Sequence, residues 1–350
     1  MKTLCFAYPG DLETPTGGYG YDRKVIAGLR DLGWQVDLVP LGDGFPFPSQ
    51  STLAKARELF ARVPDGGRLV VDGLALGVMD EAAAEQAERL DLIALVHHPL
   101  CRETGLSPDQ AAELFQSERK SLAHARHVIV TSHATSDQVT DLFAIAQKDI
   151  TVVLPGTDIP APVSRAASGT TRLLSVGTVV PRKGYDLLLA ALADLAELDW
   201  NLDVVGDLDA DPDCYSALQA QVVDFGLSDR VTFHGAVAPK RLPDFYRSAD
   251  VFVLASRYEG YGMAYTEALA YALPVIGSGG GAVKDTLPPR ASVYCGTEDI
   301  DSLRQALQLL ILDEGRRRDM SAAARISAAQ LPSWRDAATQ FALTLDAGDA

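Results

Sequence analysis

The sequence predicts an α/β protein of two doubly wound domains facing each other across a cleft. Three observations carry that expectation. At 350 residues the chain is long enough for about two domains of ordinary size. Strand-like apolar runs alternate with helical patterns twice over, and such alternation implies parallel sheets covered by helices. Between the two series lies a stretch with little periodicity, Pro155, Gly156, Pro160, Pro162 and Ser164–Thr171, with the Pro/Gly/Ser/Ala composition of a linker.

In the first half, apolar runs predict strands near Thr3–Tyr8, Gln35–Val39, Leu69–Val71, Leu92–Val96, Val128–Thr131 and Ile150–Leu154. Helical patterns fall between them at Arg23–Leu32, Thr52–Val63, Asp80–Leu90 and Pro108–Ala125. The second half restarts with strands at Arg172–Val176, Leu202–Val205, Val231–Phe233, Val251–Leu254, Pro274–Ile276 and Ala291–Tyr294. The domains are therefore expected over residues 1–155 and 156–333. A last helical segment follows Pro332, over about 334–350, and either completes the second domain or packs back on the first.

Composition removes several classes of function. Hydrophobic residues make up 47% of the chain and charged residues 22%, enough apolar side chain to offset the entropy of ordering, so a disordered chain is excluded. Lys and Arg number 31 against 47 Asp and Glu, and the net charge of −16 divides into −8 on either side of residue 160. Non-specific nucleic-acid binding needs a basic surface, which neither half offers. The four cysteines, Cys5, Cys101, Cys214 and Cys295, are isolated and have no metal-ligand spacing. They read as small apolar residues of a reducing compartment. Thr3–Tyr8 is too short for a signal-peptide core, and no apolar stretch approaches the roughly eighteen residues that span a bilayer. A cytoplasmic protein is expected.

Four segments can carry chemistry. Thr16-Gly17-Gly18-Tyr19-Gly20 follows the first strand and opens a helix. Glycines there let the backbone approach a ligand, and a helix N-terminus offers N–H groups to an anion. A tight turn is the equally ordinary alternative. A dinucleotide fingerprint is not present, because the spacing is not G-x-G-x-x-G and Val39-Pro40-Leu41 puts no acidic residue after the second strand. The second segment is Gly177-Thr178-Val179-Val180-Pro181-Arg182-Lys183-Gly184, directly after the first strand of the second half. Pro181 suits a helix start, which sets Arg182 and Lys183 at the positive end of a dipole. Cations are disfavoured there, so a compensating partner or a bound diphosphate is expected.

The third segment, Ser256 to Glu267, is the most informative. It follows the strand Val251–Leu254, and a helix over Gly262–Ala272 carries Glu267. Glu259 and Glu267 flank a Gly-x-Gly turn, Gly260-Tyr261-Gly262, with Met263 next. Ligands of open α/β sheets bind at that strand edge, where a carboxylate accepts paired hydroxyls from a sugar or ribose. The fourth is Val96-His97-His98-Pro99 at the end of the fourth strand. A histidine at such an edge serves as donor or base, and neighbouring histidines point opposite ways, which is not a metal geometry. Two further runs read as false leads. Gly277–Ala282 matches G-x-G-x-x-A, but Pro288 and Pro289 follow too soon for a normal helix. Asp207–Asp213 has Asp-x-Asp spacings but reads as an exposed loop capping the next helix, so no metal site is expected.

Together these residues resemble the retaining, GT-B-fold nucleotide-sugar glycosyltransferases of family four over nearly the whole chain. The Gly17-Gly18 loop, His97, the linker Leu154–Asp158, the Arg182-Lys183-Gly184 turn and the Glu259/Glu267 pair stand in that family's order, and Glu267, eight residues after Glu259, matches its E-x7-E motif. The resemblance implies an acceptor-binding first domain and a donor-binding second one. It implies that Lys183 holds the donor diphosphate, Glu259 binds hydroxyls of the transferred sugar and Glu267 those of the ribose. Backbone N–H groups from Gly260 to Met263 fix sugar and phosphates, His97 faces the sugar, and Gly17-Gly18 close on the β-phosphate. His98, Thr178 and Gly206 are further candidates. Family members commonly carry arginine five residues before the lysine; here that position is Thr178, and Arg182 would supply the charge.

The implied activity is metal-independent transfer of a hexose, with retention, from a UDP-, GDP- or ADP-sugar to a glycolipid, polysaccharide or small-molecule hydroxyl, with no cofactor. A nucleotide-sugar epimerase or a phosphorylase on the same fold, an NAD-dependent oxidoreductase, and a pure binding module are the alternatives. The helix Thr52–Val63, with Lys55, Arg57 and Arg62 near Leu53, Leu59 and Phe60, is either a docking helix or a peripheral membrane contact.

Overall fold

The computed structural model describes residues 2–162 and 169–347. The Ser164–Ser168 part of the expected linker and the last three residues of the expected C-terminal helix lie outside them. The chain divides into two compact units, Met1–Gly156 with Pro332–Ala350, and Thr157–Leu331.

The first unit runs β1 (Thr3–Tyr8), α1 (Gly17–Asp31), β2 (Gln35–Pro40), α2 (Gln50–Ala61), β3 (Arg68–Asp72), α3 (Gly73–Leu76), α4 (Asp80–Gln86), β4 (Asp91–Val96), α5 (Pro108–Ala123), β5 (His127–Val130), α6 (His133–Phe143) and β6 (Ile150–Val152). The strands form one parallel sheet in the order β2-β1-β3-β4-β5-β6. Leu92–Val96 are fully buried, as strands covered on both faces must be, which is why they read as an unbroken apolar run. Helix α1 starts at Gly17, six residues before the apolar periodicity that predicted it, because the Thr16 hydroxyl caps it by accepting from the Tyr19 N–H. Helix α4 stops at Gln86 rather than Leu90. Helix α2 turns Ala56 and Phe60 into the unit's own core with Leu53 and Leu59 packed alongside, while Arg57 pairs with Glu85. Its apolar side is thus used in docking to its own sheet.

The second unit runs β7 (Thr171–Val176), α7 (Tyr185–Ala193), β8 (Trp200–Val205), α8 (Pro212–Asp224), β9 (Val231–Phe233), α9 (Leu242–Ser248), β10 (Val251–Leu254), β11 (Tyr258–Glu259), α10 (Met263–Ala270), β12 (Val275–Gly277), β13 (Gly280–Gly281), α11 (Val283–Thr286), β14 (Ser292–Tyr294), α12 (Ile300–Leu312) and α13 (Glu314–Ala328). Its parallel sheet has the order β14-β12-β10-β7-β8-β9. Asp211 caps α8 by accepting from the Cys214 N–H, as the sequence reading of that acidic loop expects. The short parallel pair β11–β13 was not foreseen. Helix α14 (Trp334–Asp346) belongs to the first unit. It packs on α1, close enough that a Cβ on Gly28 would stand 2.4 Å from the Ala338 Cβ. Phe341 and Leu345 are fully buried there, each contributing roughly 1.5–3 kcal/mol. That outweighs the exposed Lys2–Asp346 pair, of a kind that stabilises by about 0–1 kcal/mol.

Candidate functional site

Both sheets have one place where consecutive connections leave in opposite directions, and open α/β sheets bind ligands beside the carboxyl ends of the strands at that point. In the second unit it lies between β7 and β10. The loop after β7 carries Gly177–Gly184, and the loop after β10 carries Ser256–Gly262.

The first of these loops differs from its predicted form. Pro181–Lys183 form a 3-10 turn, and α7 begins only at Tyr185, so Arg182 and Lys183 precede the helix instead of occupying its first turn. Gly184 closes the turn at φ +62°, and a Cβ there would fall 1.9 Å from the Ala255 carbonyl oxygen. Only glycine lets the two loops meet so closely. The expected compensation of the cations comes from across the switch point. Lys183 Nζ donates to Glu259 Oε1 at 2.6 Å, the Ser256 hydroxyl donates to the same oxygen at 2.5 Å, and Arg182 donates to the Tyr258 carbonyl at 3.0 Å and to Glu259 Oε2 at 3.5 Å. Burial works to raise the Glu259 carboxyl pKa, yet the Lys183 and Arg182 charges and the hydrogen bonds from Lys183 and Ser256 hold it below the usual carboxylate range.

Arg257 fastens the loops together. Its guanidinium binds both carboxylate oxygens of Asp186, at 2.9 and 2.7 Å, and donates to the Pro181 carbonyl and to Glu298, while its N–H donates to the Arg182 carbonyl. The glycine run at 277–282 serves the same segment. Gly280 and Gly281 pair with Tyr258 and Glu259, and a Cβ on Gly281 would lie 2.1 Å from the Glu259 carbonyl oxygen. Gly262, at φ +92°, turns the chain into α10. Glu267 lies in that helix and accepts a 2.8 Å hydrogen bond from the buried Tyr246 hydroxyl, whose ring stacks on Tyr271. Burial pushes the Tyr261 phenol up to about 12. Thr178 joins the loop by accepting the Val180 N–H on its carbonyl. Gly206 follows β8 directly and lies against that loop, where a Cβ would stand 1.9 Å from the Gly177 carbonyl oxygen.

In the first unit the switch point lies between β1 and β3. Gly17 is the first residue of α1, and a Cβ on Gly18 would touch His97 Cδ2 at 3.4 Å. His97 Nε2 lies 3.2 Å from Asp22 Oδ1 and 3.7 Å from Asp72 Oδ2, with the Tyr21 ring edge-on to the imidazole. His98 turns instead to Glu103 at 3.1 Å. The structure therefore gathers Gly18 and His97 in one unit, and Arg182, Lys183 and Glu259 in the other.

Several residues of these clusters escaped the sequence reading: Asp22, Asp72, Asp186, Arg257 as a clamp, and Tyr246. Signals existed for two of them. Asp22 is four residues past Gly18 and shares its helix face, and Asp72 is a lone carboxylate ending the apolar run Leu69–Val71.

Comparison with known proteins agrees with this fold. Residues 161–327 match the family described as glycosyl transferases group 1. A mannosylfructose-phosphate synthase of Agrobacterium fabrum is 35% identical over 43% of this chain, which spans 37% of that relative's length. An MMP alpha-(1->4)-mannosyltransferase of Mycolicibacterium hassiacum is 28% identical over 85% of this chain and 74% of its own. The solved structure of Anabaena HepE in complex with UDP and glucose superposes with a TM-score of 0.81 at 18% identity, over 99% of this chain and 100% of that one. With its two Rossmann-like parallel sheets the chain has the GT-B fold, and residues 161–327 of it match the group 1 glycosyl transferases.

Proposed function

We propose that this protein transfers a hexose, with retention and without a metal, from a nucleoside-diphosphate sugar to an acceptor hydroxyl in the cytoplasm. The observation that carries the reading is the convergence of Lys183 and Arg182 on buried Glu259 at the switch point of the second sheet. HepE, of the same fold, was solved with UDP and glucose, and two relatives are named for mannosyl-containing products or mannosyl transfer. Two cations on one carboxylate leave room to exchange part of that pairing for a diphosphate while remaining paired. Lys183 and Arg182 then stabilise the leaving diphosphate, with help from the backbone N–H groups of Gly260–Met263 and from Gly17 and Gly18. Glu259 accepts hydroxyls of the transferred sugar, and Glu267 accepts the ribose diol. His97 serves the transferred sugar.

Transfer with retention passes through an oxocarbenium-like transition state, and the departing phosphate takes the acceptor's proton. The acceptor is a glycolipid, a polysaccharide or a small glycoside. A thermal-shift panel of UDP-, GDP- and ADP-sugars, followed by transfer with the best donor in EDTA, tests the reading. Stabilisation by one donor and full activity with chelator are expected. Loss of all activity on chelation would sink the metal-free part, and release of no nucleoside diphosphate with any acceptor would sink transfer itself.

Tyr246 sharpens the assignment of Glu267. Its hydroxyl holds one carboxylate oxygen, and hydrogen bonds to charged groups contribute roughly 1.5–3 kcal/mol. Tyr246→Phe is expected to raise the donor KM roughly tenfold, about 1.4 kcal/mol, with a smaller change in kcat. An unchanged donor KM in steady-state kinetics would refute Glu267 as a donor contact oriented by Tyr246.

A further inference from the structure

We propose that Asp22 and Asp72 are positioning residues that lock His97 as an imidazolium, so that it acts as a fixed cation and hydrogen-bond donor and cannot take up a proton. Three elements bring the groups together at the switch point of the first sheet. Asp22 projects from the second turn of α1, Asp72 ends β3, and His97 follows β4 directly. Ligand-capable atoms of all three lie within 4.8 Å of one another. Asp22 is fully buried and Asp72 nearly so, at 0% and 3% exposure. Two carboxylates this close in a dry site repel each other, and a cation between them removes the repulsion. His97 Nε2, facing both, is placed to be that cation.

Among the described residues, no other cation pairs with these two carboxylates. The groups facing the ring are Asp22 and the edge-on Tyr21 from α1, and Asp72 from the end of β3. The hydroxyls of Thr131 and Thr135 donate to the His97 carbonyl, both at 3.4 Å. Of the neighbouring histidine and acids, His98 pairs with Glu103, and Glu118 accepts the Leu100 N–H. Asp72 Oδ1 is held by the Leu74 N–H at 2.7 Å, which fixes the carboxylate, while Asp22 Oδ2 has no hydrogen-bond partner among the described residues. The electrostatics point the same way. Burial presses the imidazole pKa down, but hydrogen bonding and charge from Asp22, then from Asp72, outweigh it and lift it to about 10. Burial raises the Asp22 carboxyl, and the hydrogen bond and charge of His97 oppose that rise and favour the carboxylate.

The consequence for transfer rests on the reading above; the protonation state itself does not. The test therefore needs no donor. The full chain is labelled in its histidine rings, the His97 signal is assigned by its absence from His97→Gln, and its chemical shifts are followed with pH by NMR. His97 is expected to keep imidazolium shifts up to about pH 8.5, two units above an ordinary histidine. Asp22→Asn, close in size but uncharged, is expected to lower its midpoint by at least about one unit, and Asp72→Asn by less, since an opposite charge a few ångström away shifts a pKa by about 1–3 units. A wild-type midpoint between about 6 and 7 would overturn the proposal even if neither variant folds, as would midpoints unmoved in both variants. Failure of every sugar nucleotide as donor would sink the transfer reading and leave the titration result standing.

Discussion

Lys183→Ala is expected to lower glycosyl transfer at least roughly a hundredfold, the scale seen when one donor to a developing anion is removed, while the second unit stays folded. The ammonium stands 2.6 Å from Glu259 and is itself mostly buried. Its loss leaves the Glu259 carboxylate with Ser256 and the longer 3.5 Å contact to Arg182. The carboxyl pKa then rises towards its ordinary value, since the larger of the two charges that oppose its burial has gone. The native carboxylate stabilises the fold above the ordinary carboxylate pKa, and that contribution fades as the pH falls through its depressed value; in the variant it fades at a higher pH. Glu267→Ala is expected to cost a similar factor by removing the acceptor for the ribose diol. Steady-state rates near the native value in both purified, folded variants would reject the assignment of the donor site to these residues.

Gly184→Ala is expected to have the largest effect on stability. A left-handed backbone costs a non-glycine residue roughly 1–2 kcal/mol. The new Cβ would also stand 1.9 Å from the Ala255 carbonyl oxygen and 2.8 Å from its carbon, atoms of main chain that cannot swing aside. Overpacking of this kind costs roughly a further 1–3 kcal/mol. Together they predict a fall in Tm of about 5–15 °C for a unit of this size. Gly226→Ala is the control, because it has φ +68° with nothing within 4 Å of a built Cβ, so it bears the backbone strain alone. Calorimetry that finds both variants melting within about 2 °C of one another would show that the loops do not meet as described. Transfer is expected to fall with Gly184→Ala too, because the same displacement moves Arg182 and Lys183.

The sheets were legible because parallel strands covered on both faces must be apolar throughout, and such runs stand out against helical periodicity. Their ends were less so. The start of α1 is set by the Thr16 cap, well ahead of the apolar face that begins at Val25. Pro181 resembles a first helical residue, but Gly184 at positive φ stops that turn after three residues and α7 starts afresh. The pair β11–β13 is built from Tyr-Glu and Gly-Gly, which carry no alternating pattern at all. At the candidate site, the residue types and their order along the chain could be read, whereas their partners could not. Glu259 meets Lys183 across 76 positions and His97 meets Asp22 across 75, so nothing local announces either pairing.

Helix α14 has one more implication, for the order of events during synthesis. The first unit is discontinuous: it is interrupted by Thr157–Leu331 and completed by α14. A ribosome therefore delivers the whole second unit before the first receives the helix that seals the flank of α1 beside Gly28. Until then that flank stays uncovered on the nascent chain, so the later-made unit has everything it needs to fold before the earlier-made one does.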